Sequence, residues 1–175
     1  MQNLLVLSAI GQDRAGIVEA ISHAITDCGC NIADSRMTVL GGEFAIILLL
    51  DGSWDAIVKL ENFLPRLEKK LDLIIVSKRT EIRQTTRNQL SYLVEVVSMD
   101  HPGIVHDIAK FMSDHKINIE DLATSSYAAP HTGTQMFSMN MTISIPSDLS
   151  IATLRNEFMD MCDDLNLDAV MGPLK

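Results

Sequence analysis

The residues able to act as nucleophiles or soft metal ligands are three cysteines, five histidines and scattered serines. Their spacing forms no catalytic constellation. Cys28-x-Cys30 could suggest a metal pair, but Cys28 falls on the apolar face of a predicted helix that Gly29 ends, which predicts a buried structural thiol. No second Cys/His pair completes a zinc set. His101 and His106 are five apart and do not share a helical face, and His115 and His131 are isolated. Ser8, Ser98, Ser125 and Ser126 carry no local nucleophile signature, so a hydrolase is disfavoured.

What the chain does repeat is a turn. Asp13-Arg14-Ala15-Gly16-Ile17-Val18 recurs as Asp100-His101-Pro102-Gly103-Ile104-Val105, 87 positions later. Each copy reads as a strand end, a tight turn and a helix start. Such a turn presents free backbone N–H groups and is a seat for a small anion. Asp13 and Asp100 have two readings: N-caps of the helices that follow, which is preferred, or contacts to a ligand ammonium. Gly16 and Gly103 allow close backbone approach by a ligand or by a packing sheet. Carboxylate and ammonium together are the handles of a small amino acid. The copies are unequal, because Pro102 lacks the donor that Ala15 keeps and His101 replaces Arg14. Asn31-Ile32 and Asn118-Ile119 are expected beside the turns, opening the second strand of each copy, to bind ligand or to satisfy strand-end backbone.

The elements that position these turns follow from periodicity. Asn3–Ala9 is an apolar strand. Residues 14–28 form a helix with Ile17, Val18, Ile21, Ala24, Ile25 and Cys28 on one face. Residues 31–40 alternate as a strand, Gly41-Gly42 is a hairpin turn, and 44–50 is a strand apolar on both faces. Ser53 caps a helix carrying Trp54, Ile57, Val58, Leu60, Phe63, Leu64 and Leu67, with a kink or break expected at Pro65. Residues 71–77 form a fourth strand. The order restarts with a strand at 90–98, a helix at 102–115, strands at 118–127 and 135–145, a helix capped by Ser150 and a strand at 167–171. Along 135–145, Phe137, Met139, Met141, Ile143 and Ile145 should be buried while Ser138, Asn140, Thr142 and Ser144 stay wet.

Two βαββαβ units with a short linker predict an α+β fold of two ferredoxin-like domains in tandem, at residues 1–79 and 90–175, joined by 80–89. The first and third strands of each unit should be central. Helices cover one face of such a sheet, so the two-sided strand 44–50 predicts a second cover, from the sister domain or from another chain; a homo-oligomer is the expected partner state.

Composition narrows the function classes. The chain of 175 residues is 47% hydrophobic and 21% charged, as a core-forming protein should be. Its net charge is −9, and residues 89–175, with 4 basic and 12 acidic side chains, carry −8 of it. That is no nucleic-acid footprint. The mildly basic stretch at 78–83 reads as a solvated connector. No membrane-length apolar run occurs, and the opening residues lack the pattern of a signal peptide. An odd cysteine count without framework spacing predicts reduced thiols in a cytoplasm. No cofactor or metal is expected.

The repeated Asp-x-x-Gly-Ile-Val and the repeated Asn-Ile resemble the ACT domain, a regulatory module that typically binds an amino acid between paired domains. The resemblance covers residues 3–78 and 90–173 and leaves no room for a catalytic domain. It implies ligand contacts at Asp13, Arg14, Ala15, Gly16, Ile17, Asn31 and Ile32. In the second copy it implies Asp100, His101, Pro102, Gly103, Ile104, Asn118 and Ile119. The free-standing pair, with Leu50-Asp51-Gly52-Ser53-Trp54-Asp55-Ala56-Ile57, is similar to a family of tandem-ACT transcriptional repressors. That likeness implies a non-enzymatic protein that senses glycine and restrains a DNA-binding activator by protein contact. The alternative is a detached ACT sensor subunit that regulates an enzyme of amino-acid metabolism. An enzyme on a ferredoxin-like scaffold is the third reading, disfavoured for want of any catalytic constellation.

Overall fold

The structure is a computed structural model that describes residues 3–81 and 89–174. It separates into two compact units. The first runs β1 (Asn3–Gln12), α1 (Ile17–Asp27), β2 (Asn31–Leu40), β3 (Glu43–Gly52), α2 (Trp54–Leu71) and β4 (Ile74–Thr80). The second runs β5 (Gln89–Met99), α3 (Ile104–Asp114), β6 (Asn118–Ala128), β7 (Gln135–Pro146), α4 (Ile151–Asp164) and β8 (Asp168–Pro173). Of the expected linker, residues 82–88 lie outside the described residues.

Both sheets are antiparallel, in the orders β2-β3-β1-β4 and β6-β7-β5-β8. The expected central strands are central. Alternation decides which face each strand buries. Leu5, Leu7 and Ala9 of β1, with Phe44, Ile46, Leu48 and Leu50 of β3, meet Ile17, Ile21 and Ile25 of α1 and Ile57, Leu60 and Leu64 of α2. The second unit repeats this with Val94, Val96, Phe137, Met139, Met141 and Ile143 against Ile108, Met112, Leu154 and Phe158. Burying each such large side chain contributes roughly 1.5–3 kcal/mol, which outweighs modest local misfits.

Pro65 is one such misfit. No break occurs there, and α2 runs unbroken through it. The ring removes one hydrogen bond, to the Glu61 carbonyl, and costs about 3 kcal/mol in a helix interior. Continuity keeps Leu60, Leu64, Leu67 and Leu71 buried on one stripe, and that burial wins. Both helices α1 and α3 start later than expected, at Ile17 and Ile104. Trp54, Val18 and Val105, expected on buried faces, are exposed. Each lies in the first turn of its helix, and Val18 and Val105 sit about 100° around the axis from the buried Ile17 and Ile104.

The sheet faces opposite the helices differ. In the first unit that face carries Ile10, Ile47, Ile74 and Val76, all exposed. In the second it carries Glu95, Asn140 and Thr142 alongside Val97 and Val170. Ser144, expected to stay wet, is buried, and its hydroxyl donates to Glu120 Oε1 at 2.9 Å. Glu120 is the extra residue of a β-bulge between Ile119 and Asp121, and the bulge turns its carboxylate onto that neighbour.

Candidate functional site

The two turns share one backbone frame. The Asp13 N–H donates to the Gly42 carbonyl at 3.0 Å, and the Asp100 N–H to the Gln135 carbonyl at 2.9 Å. These bonds lash each turn to the hairpin of its own sheet. In the first unit that hairpin is Gly41-Gly42, with φ of 61° and 89°, a two-residue turn open only to residues tolerant of positive φ.

Neither aspartate caps a helix. The N-caps are Gly16 and Gly103, with φ of 93° and 104° and no side-chain cap bond. A left-handed residue at this point turns the chain sharply into the helix, which leaves the aspartates three residues outside it. The glycines are needed for this backbone hand rather than for packing. A Cβ at Gly16 would meet nothing within 4 Å, and one at Gly103 would meet only Asp107 Oδ2 at 3.6 Å. Close packing falls instead on Gly11, where a Cβ would stand 2.7 Å from Leu73 Cδ2 and 3.0 Å from the Asp72 carbonyl oxygen.

The first intrahelical bonds run from Ala20 N to Gly16 O and from Asp107 N to Gly103 O, each at 2.9 Å. The N–H groups of residues 17–19 and 104–106 therefore have no helical acceptor, and the positive end of each helix dipole faces the turn. The arrangement can hold a carboxylate on backbone donors, with an aspartate nearby for an ammonium.

The copies differ in what surrounds this seat. Asp13 makes no side-chain hydrogen bond among the described residues, whereas Asp100 Oδ2 accepts from the Ser126 hydroxyl at 2.8 Å. Ser126 lies on β6 at the position that Val39 holds on β2, since Ser126 pairs with Phe137 and Val39 with Phe44. The sequence offers Ser126 only as a rejected nucleophile, and its contact with Asp100 is revealed only by the register of the two edge strands. Arg14, read as the cation of the first seat, donates through Nη2 to the Leu71 carbonyl at the end of α2. His101 Nδ1 lies 3.1 Å from the Pro102 carbonyl and donates to it.

Asn31 and Asn118 do not lie beside the turns of their own units. Asn31 pairs with Asp51, which pairs with Leu4 at the start of β1, whereas the turn follows Gln12 at its end. The full length of α1, about 16 Å, separates the turn from the opening of β2. The second unit repeats this geometry, with Asn118 level with Ser144 and Ser91. The Asn118 side chain donates to Glu120 Oε1 at 2.7 Å. Ile32 is exposed, while Ile119 packs partly against the core. One unit thus presents two separate candidate contacts, the turn at one end and the Asn-Ile pair at the other.

The thiols take no part in either. Cys28, Cys30 and Cys162 are free and buried. Burial raises all three above the ordinary thiol range, Cys162 to about 11.

Residues 3–78 match the ACT domain family. Over 165 residues the chain is 36% identical to the glycine cleavage system transcriptional repressor of Escherichia coli (strain K12), an alignment covering 94% of this chain and 87% of that protein. A UPF0237 protein of Methanocaldococcus jannaschii is 42% identical over 65 residues, 37% of this chain and 71% of its own length. Among solved structures, an unknown protein from Galdieria sulphuraria aligns over the whole of both chains with a TM-score of 0.82 and 25% identity. A structure provisionally described as a glycine cleavage system transcriptional repressor aligns with a TM-score of 0.75 and 28% identity, covering 100% of this chain and 99% of that one. With its two βαββαβ units and its near full-length match, this chain belongs to the tandem ACT-domain family of the glycine cleavage system transcriptional repressor.

Proposed function

We propose that this chain is a non-enzymatic cytoplasmic regulator that senses a small amino acid, glycine before others, and represses transcription indirectly by holding a DNA-binding activator. One observation carries the sensing step: the duplicated left-handed glycine that leaves three backbone N–H groups and an aspartate around each turn. An amino acid offers the matching charges, its carboxylate to the helix start and its ammonium to the aspartate. The relative's name supports glycine as the signal and transcription as the output. The acidic balance supports protein contact over direct DNA binding.

The turn of the first unit is the better seat. It keeps the Ala15 N–H, and its aspartate is not engaged by a serine. The Asn31-Ile32 and Asn118-Ile119 pairs are second contacts, too far from the turns of their own units to share one ligand with them.

A melting experiment tests the sensing step. Ligand bound only to the native state at ten times its Kd adds about 1.4 kcal/mol, which moves the melting temperature of a domain this size by several degrees. Glycine should produce that shift and a D-amino acid of larger side chain should not. Gly16→Val should remove most of the shift, and Gly103→Val should leave most of it. If no small amino acid raises the melting temperature, the sensing step is wrong.

A further inference from the structure

The two units close their helix layers differently. Among the described residues α1 and α2 approach each other closely, and Ala24 of α1 and Leu67 and Leu71 of α2 are buried in one core cluster. Aligning the buried positions of α2 and α4, Leu60 with Leu154 and Leu64 with Phe158, pairs Leu67 with Met161 and Leu71 with Leu165. The repeat pairs Ala24 with Phe111. In the second unit these three counterparts, Phe111, Met161 and Leu165, are only half-buried. They line a groove of about 380 Å³ between α3 and α4.

The rim of that groove is acidic. Asp107, Asp114 and Asp164 stand around it with Lys110, which is committed to Asp114 at 2.6 Å; the His115 ring stacks on Phe111 at 4.2 Å and is committed to Glu157 at 2.9 Å. Asp107 and Asp164 make no ion pair among the described residues. The matching positions in the first unit are Ala20 and Lys70.

Helix polarity makes the same point independently. The last turns of α3 and α4 hold no basic residue, and α4 ends in Asp163 and Asp164. Acids at the negative pole of a helix are destabilising. The first unit answers its helix ends with cations: Lys69 and Lys70 in the last turn of α2, Lys59 donating to the Asp27 carbonyl at 2.6 Å, and Arg14 donating to the Leu71 carbonyl. In the second unit His115 answers the end of α3 through the Phe111 carbonyl, but among the described residues no cation answers the end of α4, where Asp163 and Asp164 replace Lys69 and Lys70. A docked cationic partner would supply it.

We propose that the α3–α4 groove docks a cationic amphipathic segment of a partner protein. Its apolar side chains would lie on Phe111, Met161 and Leu165, and its lysines or arginines would meet Asp107 and Asp164. The half-exposed apolar floor supplies contact area, and the uncompensated acids supply the sign. This inference rests on the reading that the chain acts by protein contact, and it is independent of glycine sensing.

The test uses the full chain and a fluorescein-labelled amphipathic helical peptide of leucine and lysine, followed by anisotropy at 150 mM salt. The wild type should bind it saturably. The pair Asp107→Lys with Asp164→Lys should weaken binding at least tenfold, and so should Met161→Asp, which disturbs the floor. The charge-matched pair Asp148→Lys with Asp168→Lys, outside the groove, should stay within twofold of the wild type. Circular dichroism and melting would establish that each variant is folded. Absence of wild-type binding overturns the proposal. So does equal weakening by the two lysine pairs, which is diffuse attraction to an acidic protein, or wild-type affinity in Met161→Asp. The glycine-induced melting shift, measured on the same variants, should survive in the groove pair. If peptide binding fails while that shift persists, the docking surface falls and the sensor stands; the converse result leaves the surface and removes the sensor.

Discussion

His115 joins the end of α3 to α4 through both ring nitrogens. Nδ1 is 2.8 Å from the Phe111 carbonyl, and Nε2 is 2.9 Å from Glu157 Oε2. Both partners are acceptors, and a neutral imidazole has only one N–H. Serving both at once requires the imidazolium. The Phe111 carbonyl bond accordingly raises the pKa above the ordinary histidine value; burial opposes it, and Glu157 and Asp114 add to the rise. A raised folded pKa contributes stability that is fully present below about pH 6.5, the unfolded value, and is lost as pH rises through the folded one. The stability difference between wild type and His115→Gln should therefore be largest near pH 6 and shrink by pH 8. Urea titrations across that range would measure it. A difference that stays flat with pH would show that His115 is neutral in the fold. The turn aspartates teach a related lesson about side chains. Asp13 and Asp100 stand where a helix is expected to begin, yet two left-handed glycines move the helix start three residues on and leave both carboxylates free of capping.

Helix starts in the second half of each unit do use side-chain caps, and there the sequence pattern and the structure agree. Ser53 Oγ accepts from the Ala56 N–H at 3.2 Å, and Ser150 Oγ accepts from the Thr153 N–H at 3.4 Å. Ser53→Ala should cost about 1 kcal/mol. Ser150→Ala should cost less, because its bond is longer and its helix is the shorter one. Chemical denaturation of each variant would read both, and an equal cost at the two sites would contradict the ranking. The elements legible in the sequence are those set by local pattern: alternation in β7, the glycine pair between β2 and β3, and the 87-residue repeat. At Pro65 the break does not occur, because the leucine stripe holds α2 together. Asn31 does mislead. It follows the turn closely in sequence, but an intervening helix carries the chain to the other end of the sheet, and only the β2–β3–β1 register shows which end. The Ser126–Asp100 bond depends on that same long-range register, so no nearby residue announces it.

At the scale of the whole chain, the two units have the same topology and different open sheet faces. Ile10, Ile47, Ile74 and Val76 form an exposed apolar face in the first unit, with Ile47 at 50% and Ile74 at 64% exposure. Apolar side chains grouped on one sheet face are what a protein–protein interface would cover. The second unit offers Glu95, Asn140 and Thr142 at the corresponding level and can tolerate water there. Ile47 is the sharpest probe. It sits in the central strand β3, opposite Ser8 of β1, and makes no part of the helix-facing core. Ile47→Glu therefore leaves the unit's own core intact and places a charge in the middle of the open face. If that face is covered by a second copy, the variant should lose mass in light scattering and melt earlier by several degrees. If it is covered within one chain, the mass should stay constant while the melting temperature falls. An unchanged mass with an unchanged melting temperature would show a face that water already covers, and the homo-oligomer expected from the two-sided β3 strand would then have no structural basis.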